Sequence, residues 1–426
     1  MDREIMRRVI LEYQDVISQI QLVERPFSFE EGGNYVFVGV RQAGKSYLLY
    51  QQARQLLRSG HEIEEIVYVN FDDERISDMD KDELDLILQA QRTLSDHQPI
   101  LFLDEIQNVE GWEHFARRLA NQKYQVYITG SNARMLSRDI ATVLGGRFWM
   151  KEVFTYSFEE YLKARQIKLR KNWQSSRQRD EVAKEFNTYF YFGGFPELVN
   201  VIDKRSWLNG IFRKILFNDV IVRNGIRNEE ALRMTIRRMA DCVKQPTSYN
   251  RICHLVKSTG VSTSVQSIID FAKYLRESCL VFAVKNYASK FVERETIKKH
   301  YFIDNGLLNI FLTDPDTSLL ENLCAIHLYK RYGANLYYYN KDIEVDFFIP
   351  DEGRAIQSCF RLGEDETTKR EVQALEKLDK VFDLQELIIV SRDTEDVIPL
   401  RNGKSIQVIP VWKWLLQNTF TVNIHK

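Results

Sequence analysis

The sequence predicts an α/β protein: a doubly wound parallel sheet with a helical lid, followed by a winged helix and a smaller α/β domain. Three observations predict it. A β-rich run, Tyr35 to Val38, enters the loop Gly39-Val40-Arg41-Gln42-Ala43-Gly44-Lys45-Ser46, and the loop opens a helix carrying Leu48, Tyr50 and Leu56. The apolar run from Pro99 to Leu103 closes on Asp104-Glu105. Strand-like and helix-like segments alternate through residues 1–154, the pattern of parallel strands joined by crossover helices.

The first strand and its loop carry the most chemistry. The octapeptide fits GxxxxGK[ST], in which backbone N–H groups curl around an anion and the helix N-terminus adds its dipole. Gly39, Arg41, Gln42, Ala43, Gly44, Lys45, Ser46 and the first helical residue Tyr47 are therefore candidate nucleotide-binding residues. Lys45 would reach the β- and γ-phosphates, and Ser46 would ligate Mg²⁺. The strand ending in Asp104-Glu105 supplies the matching acids: Asp104 as a metal residue acting through water, Glu105 as the catalytic group that polarises the attacking water.

Two further strands, Ile66 to Phe71 and Gln125 to Thr129, complete the alternation with a last one from Phe148 to Phe154. Ser131 and Asn132 follow one of them and are candidates for sensing the γ-phosphate; Asn70, ending another, is a candidate to hold Glu105. For each, a plain strand-end cap is the competing reading. Arg147, after Gly145-Gly146, is a catalytic candidate that would stabilise phosphoryl-transfer charge from its own subunit or a neighbour, with a surface ion pair as the alternative. Arg134 and Arg138 are weaker candidates.

Composition sets outer bounds. The 426 residues are enough for several domains, and 44% apolar with 12% aromatic residues excludes wholesale disorder. Lys plus Arg number 59 against 60 Asp plus Glu, a net charge of -1, which excludes a chain that is polybasic throughout. It does not exclude a local nucleic-acid surface, because the charges are segregated. Residues 62–85 carry eleven acidic side chains against Arg75 and Lys81; residues 161–180 carry seven basic ones, including Lys163, Arg165, Arg170, Lys171 and Arg179, against Asp180. A solvated face is the alternative for either run. Five scattered cysteines without CxxC, and no HExxH, argue against zinc and for a reducing compartment. The N-terminal segment carries charge throughout, and no segment approaches a membrane span, so a soluble cytoplasmic protein is expected.

At this point GVRQAGKS, ILFLDEIQNVEGWE, ITGSN, LGGRF followed by TYSFEEYL, and YFYFGGFPELV together resemble prokaryotic AAA-type ATPases of the archaeal-ATPase group, which bear a C-terminal domain related to restriction endonucleases. The resemblance covers essentially the whole chain. It implies ATP rather than GTP, in agreement with the absence of Asn-Lys-x-Asp. It also implies a helical lid, for which residues 155–230 have helical spacing, with Gly193-Gly194 and Pro196 as a turn within it.

Residues 231–312 read as three helices and a hairpin: Ala231 to Val243, Ser248 to Lys257, a turn at Ser258 to Val261, Ser262 to Cys279, then strands Leu280 to Lys285 and His300 to Asp304. That is a winged helix-turn-helix, as the resemblance also implies. Its third helix begins with Ser262, Thr263, Ser264, Gln266 and Ser267, which bring no charge; the wing offers Lys285, Lys290, Arg294, Lys298 and Lys299. A DNA or protein partner through this unit and the basic lid segment stays open, as does assembly into an oligomer.

Residues 313–426 read as α-β-β-β-α-β, an order similar to the restriction-endonuclease core. The resemblance implies an acid on the second strand, matched by Asp346, a helical acid, matched by Glu321, and an acid-x-Lys triplet. The triplet position reads Gln357-Ser358-Cys359, so a degenerate, inactive nuclease fold is expected. The whole reads as a Mg²⁺-dependent ATPase coupling nucleotide state to a winged helix and an inactive nuclease-like domain. Alternatives are a DNA-binding regulator that uses ATP as a conformational ligand, and an ATP-gated nuclease.

Overall fold

A computed structural model describes residues 2–363 and 366–417, so residues 418–426 of the C-terminal segment lie outside the described residues. The chain divides into two compact units, residues 2–154 with 277–279, and the remainder.

The first unit runs α1 (Arg3–Gln19), β1 (Asn34–Val38), α2 (Lys45–Arg58), β2 (Ile66–Asn70), α3 (Asp85–Gln91), β3 (Ile100–Asp104), α4 (Trp112–Asn121), β4 (Val126–Gly130), α5 (Arg138–Leu144) and β5 (Phe148–Glu152). Its five strands are all parallel, in the order β2-β3-β4-β1-β5. Parallel strands covered on both faces read as unbroken apolar runs, which is why β3 and β4 are buried at every position. One register level is aromatic across four strands. Tyr68, Phe102, Tyr127 and Tyr35 are partners in sequence, and their rings stack at 6.4, 4.8 and 5.9 Å between centroids. Helix α1 buries Met6, Val9, Ile10 and Ile17, and its Gln14 side chain donates to the carbonyls of Ile63 and Ile66, fixing the helix to the start of β2. Because β3, β4 and β1 are neighbours, the loops leaving their C-terminal ends meet at one edge of the sheet.

The second unit begins with helices α6 (Phe158–Ala164), α7 (Gln178–Phe192) and α8 (Lys204–Lys214), the last running into a π-helical stretch over Ile215–Val222. Then come α9 (Glu229–Asp241), β6 (Thr247–Ser248), α10 (Tyr249–Lys257), α11 (Val265–Glu277), β7 (Val281–Asn286), α12 (Phe291–Thr296), β8 (Ile297–Phe302) and α13 (Asn305–Asn309). The described residues end with α14 (Asp316–Tyr332), β9 (Tyr337–Asn340), β10 (Glu344–Ile349), β11 (Arg354–Cys359), α15 (Glu366–Phe382), β12 (Glu386–Ser391), β13 (Asp396–Pro399), β14 (Ser405–Pro410) and α16 (Val411–Gln417).

Among the described residues of this unit, nine strands form one sheet, ordered β13-β14-β12-β11-β10-β9-β7-β8-β6. The β7–β8 hairpin joins the C-terminal strands through a parallel pairing of Lys285 and Asn286 with Tyr337 and Tyr338. Residues 231–312 and 313–417 thus share a sheet, a continuity that no local period in the sequence announces.

The motif phrases without an obvious linear explanation acquire one here. Ser157 caps α6 and Glu160 returns the bond to the Ser157 N–H, a reciprocal cap encoded by SFEE. Asp304 is buried, accepting from the Thr155 hydroxyl and from the N–H groups of Gly194 and Gly306. Tyr156 N–H donates to the Gly194 carbonyl, and the Tyr189 hydroxyl donates to the Tyr156 carbonyl. The phrases TYSFEEYL, YFYFGGF and FIDNG therefore form one hydrogen-bonded hub.

Candidate functional site

The loop between β1 and α2 is held from below. A Cβ at Gly39 would lie 2.0 Å from the Val153 carbonyl oxygen, so glycine is what lets β1 turn into the loop against β5. Arg25, buried ahead of β1, donates to the carbonyls of Ala43 and Phe154, and its backbone is bonded both ways to the Gln51 side chain on α2. Gln42 takes a left-handed φ of 59°, one of two such non-glycine residues at the site. Arg41 reaches Asp72 at 3.6 Å. Tyr47 is exposed and packs edge-on against Tyr50.

Lys45 is 3% exposed and folds back over the loop, donating to the carbonyls of Gly39 and Val40 at 3.1 and 3.3 Å and to Glu105 Oε1 at 3.2 Å. Its ammonium and the Glu105 carboxylate thus satisfy each other. Glu105, the second left-handed residue at φ 54°, is also held at Oε2 by the Gln107 amide at 2.6 Å. That amide lies 3.3 Å from the hydroxyl of buried Ser131. Burial pushes the Glu105 carboxyl up, but Lys45, Gln107 and Arg41 outweigh it and leave it below the usual carboxylate range.

Asp104 is buried, and its two oxygens accept from the Thr129 and Tyr68 hydroxyls. The nearby Ser46 hydroxyl helps to favour its charged form. Burial, then the neighbouring Glu105 charge, raises its carboxyl above the ordinary value. Ser46 and Asp104 test whether the donor set fits Mg²⁺: a hydroxyl in the first turn of α2 and a carboxylate at the end of β3 stand beside a phosphate-type loop, with oxygen ligands of the kind Mg²⁺ prefers. They fit.

The remaining sequence candidates divide. Asn70 accepts from the Asp72 N–H, and Gln107 rather than Asn70 holds Glu105. Asn132 caps the turn that follows by accepting from the Arg134 N–H, the structural alternative for that residue. Arg147 sits at the far edge of the sheet. Its carbonyl accepts from Asn34 at the start of β1, and its guanidinium donates to the Gly145 carbonyl. Five residues of strand, about 16 Å at ~3.3 Å each, separate that position from the loop, so Arg147 does not join the site of its own chain. Arg134 and Arg138, exposed after β4, lie on the loop's edge instead. Gln107, Thr129, Tyr68 and Arg25 are site residues that sequence reasoning missed. Only Gln107, two residues beyond the acids, carried a local signal.

In the second unit, the wing cations are mostly engaged. Lys285 and Lys298 both pair with Glu295, Arg294 donates to the Tyr287 carbonyl, and Lys299 is fully buried. At the head of α11, Ser264 and Ser267 bond each other and Gln266 bonds Asp270. In the basic segment, Lys163 pairs with Glu159 and Arg165 with Glu185, while Arg170, Lys171 and Arg179 are exposed. Asp346 and Glu321 do come together, with Lys299 between them. Among the described residues no helix is long and apolar enough to cross a membrane.

Residues 32–162 match a family described as an AAA domain, and residues 183–318 match a domain of unknown function. An uncharacterized protein of Methanocaldococcus jannaschii is 31% identical, the match covering 97% of this chain and 96% of that protein. An uncharacterized protein of Haemophilus influenzae is 29% identical, covering 90% and 94% respectively. Among solved structures, a Walker-type ATPase of Pyrococcus abyssi is similar at 14% identity and a TM-score of 0.40, over 73% of this chain and 95% of that one. The ORC1 protein of Aeropyrum pernix, solved in complex with DNA, is similar at 15% identity and a TM-score of 0.31, over 74% and 92%.

Proposed function

We propose, for a chain that matches an AAA domain over residues 32–162 and belongs to one family with an uncharacterized Methanocaldococcus jannaschii protein, that it is a Mg²⁺-dependent ATPase whose resting site is held closed by its own catalytic carboxylate. The observation that carries the reading is the Lys45–Glu105 ion pair at 3.2 Å. A nucleotide phosphate and Glu105 would compete for the same ammonium. Binding ATP therefore draws Lys45 onto the phosphates and releases Glu105, already ionised, to orient water. Ser46 and Asp104 would hold Mg²⁺, which supplies charge neutralisation at the β- and γ-phosphates. Backbone N–H groups of Gln42 to Lys45 would cradle the anion.

The helix order α9-α10-α11 followed by the β7–β8 hairpin supports reading residues 231–312 as a winged helix. The order α14-β9-β10-β11-α15-β12 supports reading residues 313–426 as nuclease-like, and Gln357-Ser358-Cys359 at the triplet position supports reading them as inactive. Nucleotide state would act on these parts. The engaged wing cations count against a regulator that grips DNA by its wing, and ATP turnover is the reading preferred.

Lys45→Ala should abolish ATP binding. Glu105→Gln should bind ATP at least as tightly as the wild type, because the amide competes less for Lys45, while turnover falls by about 10²-fold or more. Equal turnover by wild type and Glu105→Gln in a single-turnover assay would sink the role given to Glu105.

A further inference from the structure

The cleft beside β10 and β11, about 1000 Å³ in volume, is lined by Glu321, Glu344, Asp346, Gln357, Ser358 and Glu371. In a nuclease-like fold these acids would face a divalent metal. Here each is already committed. Lys299, fully buried on β8, places its ammonium 3.0 Å from Asp346 Oδ1, 3.1 Å from Glu321 Oε1 and 3.2 Å from Glu344 Oε1. The ammonium also lies over the Tyr338 ring, 5.7 Å from its centroid. Tyr301, two residues on and so on the same face of β8, donates to Glu321 Oε1 at 2.8 Å.

The second Asp346 oxygen is closed as well. Asp346 Oδ2 accepts from the Ser358 N–H at 3.0 Å and from the Ser358 hydroxyl at 2.8 Å. Gln357, standing at the first position of the expected triplet, is turned into the sheet. Its carbonyl accepts from the Asp346 N–H, and its amide donates to the Glu344 carbonyl and to Glu371 Oε2. A metal would require carboxylate oxygens at about 2.1 Å for Mg²⁺, with water completing the shell. An ammonium needs only hydrogen-bond distances, and it occupies the point where the carboxylates converge. Among the described residues no group of His, Cys, Asp and Glu is arranged to hold a metal ion.

We propose that Lys299 is a built-in cation standing where a nuclease-like fold would hold a divalent metal, so that Glu321, Glu344 and Asp346 form a closed ion cluster rather than a metal centre. The naming of the replaced ion rests on the nuclease-like reading of the C-terminal residues; the cluster itself rests on the distances. Its consequence is specific: deleting the ammonium should leave a vacated cage of carboxylates able to take a divalent cation.

The test is Mn²⁺ binding to the nucleotide-free full chain, followed by electron paramagnetic resonance and by melting temperature. Wild type and Asp346→Ala should bind Mn²⁺ identically. Lys299→Ala should gain one site, with Mn²⁺ raising its melting temperature, and Lys299→Ala/Asp346→Ala should lose that gain. If Lys299→Ala does not fold, Lys299→Ala/Glu321→Gln removes one buried carboxylate with the ammonium and serves in its place. A Mn²⁺ site in the wild type that Asp346→Ala abolishes would overturn the proposal, as would a folded lysine variant that gains none. Plasmid nicking with Mg²⁺ separates the underlying reading. Nicking that Asp346→Ala abolishes overturns the inactive-nuclease reading and the proposal together, whereas a lysine variant without a gained site, in a chain that does not nick, overturns the proposal alone.

Discussion

Glu105 is held in a left-handed backbone conformation between a lysine and an amide, and the amide is the less expected of the two. Gln107 acts on the reaction only through Glu105, so its removal should move different quantities from removal of Lys45. In Gln107→Ala the carboxylate loses a bond that favours its ionised form, and its pKa rises. Glu105 must be ionised to polarise water, so the acid limb of the kcat–pH profile should shift to higher pH. The value of kcat near neutrality should fall about tenfold, with the Kd for ATP little changed. A changed Kd with an unmoved pH profile would show that Gln107 merely shapes the loop. At this scale legibility followed distance along the chain. Lys45, Ser46, Asp104 and Glu105 were readable because a phosphate-binding loop and an acidic strand end are local patterns. Thr129 and Tyr68 were not, since their hydroxyls reach Asp104 from β4 and β2, and only the strand order makes them neighbours. Arg25 was hidden for a related reason: one of its carbonyl partners, Phe154, lies 129 residues away, at the far end of the first unit.

Elements in the first unit were legible because a buried parallel strand writes itself as an apolar run, and each expected strand lies within a few residues of its observed bounds. In the second unit α9 to α11, β7, β8 and α14 to β12 were legible, but α12, α13, β13, β14 and α16 were not, and neither was the single sheet, since the β7–β9 pairing joins residues about fifty positions apart with no repeat to mark it. Its hub makes a sharp prediction. A Cβ at Gly194 would lie 2.2 Å from the Tyr156 carbonyl oxygen and 3.1 Å from the Tyr156 nitrogen, both backbone atoms that cannot rotate away. Gly194→Ala should therefore destabilise the second unit by roughly 2–3 kcal/mol, against about 1 kcal/mol for Ser157→Ala, which removes only a helix cap. Denaturant melts comparing the two variants check the order; a Gly194→Ala no worse than Ser157→Ala would contradict the close packing. The link between β8 and α14 makes another. Burial, then the Asp346 charge, lifts the Glu321 carboxyl from 4.5 to about 7 against the pull of Lys299. A raised folded value means that folding favours the protonated acid. Its contribution is complete below about 4.5 and is lost as the pH rises through about 7. Wild type should thus lose melting temperature between about pH 5 and about pH 8, and Glu321→Gln should show a flatter profile over that interval. Parallel profiles would assign the loss to other groups.

For the whole molecule, the balance of 59 basic against 60 acidic side chains conceals a separation that the structure partly neutralises locally: Asp85 meets Arg118, Asp73 meets Arg75, and Lys163 and Arg165 meet carboxylates of their own unit. What this local pairing leaves unexplained is Arg147, exposed beside two glycines at the sheet edge opposite the loop. The topology removes a role in its own site, because parallel strands put the starts of β1 and β5 together and the phosphate-binding loop at their other end. A phosphoryl-transfer role therefore requires a second copy of the chain that brings its Arg147 to this chain's loop, which makes the catalytic unit an assembly rather than a monomer. Complementation decides it. Arg147→Ala keeps an intact loop but has no arginine to lend; Lys45→Ala lends an arginine but binds no ATP. If Arg147 works across a subunit boundary, Arg147→Ala alone should lose roughly 10³-fold in kcat, Lys45→Ala alone should show no turnover, and an equimolar mixture should recover activity well above the sum of the two. The recovery should grow with protein concentration, since it depends on mixed assemblies. A mixture no more active than that sum, at concentrations where the wild type is fully active, would return Arg147 to the surface ion-pair and capping roles that any exposed arginine can fill.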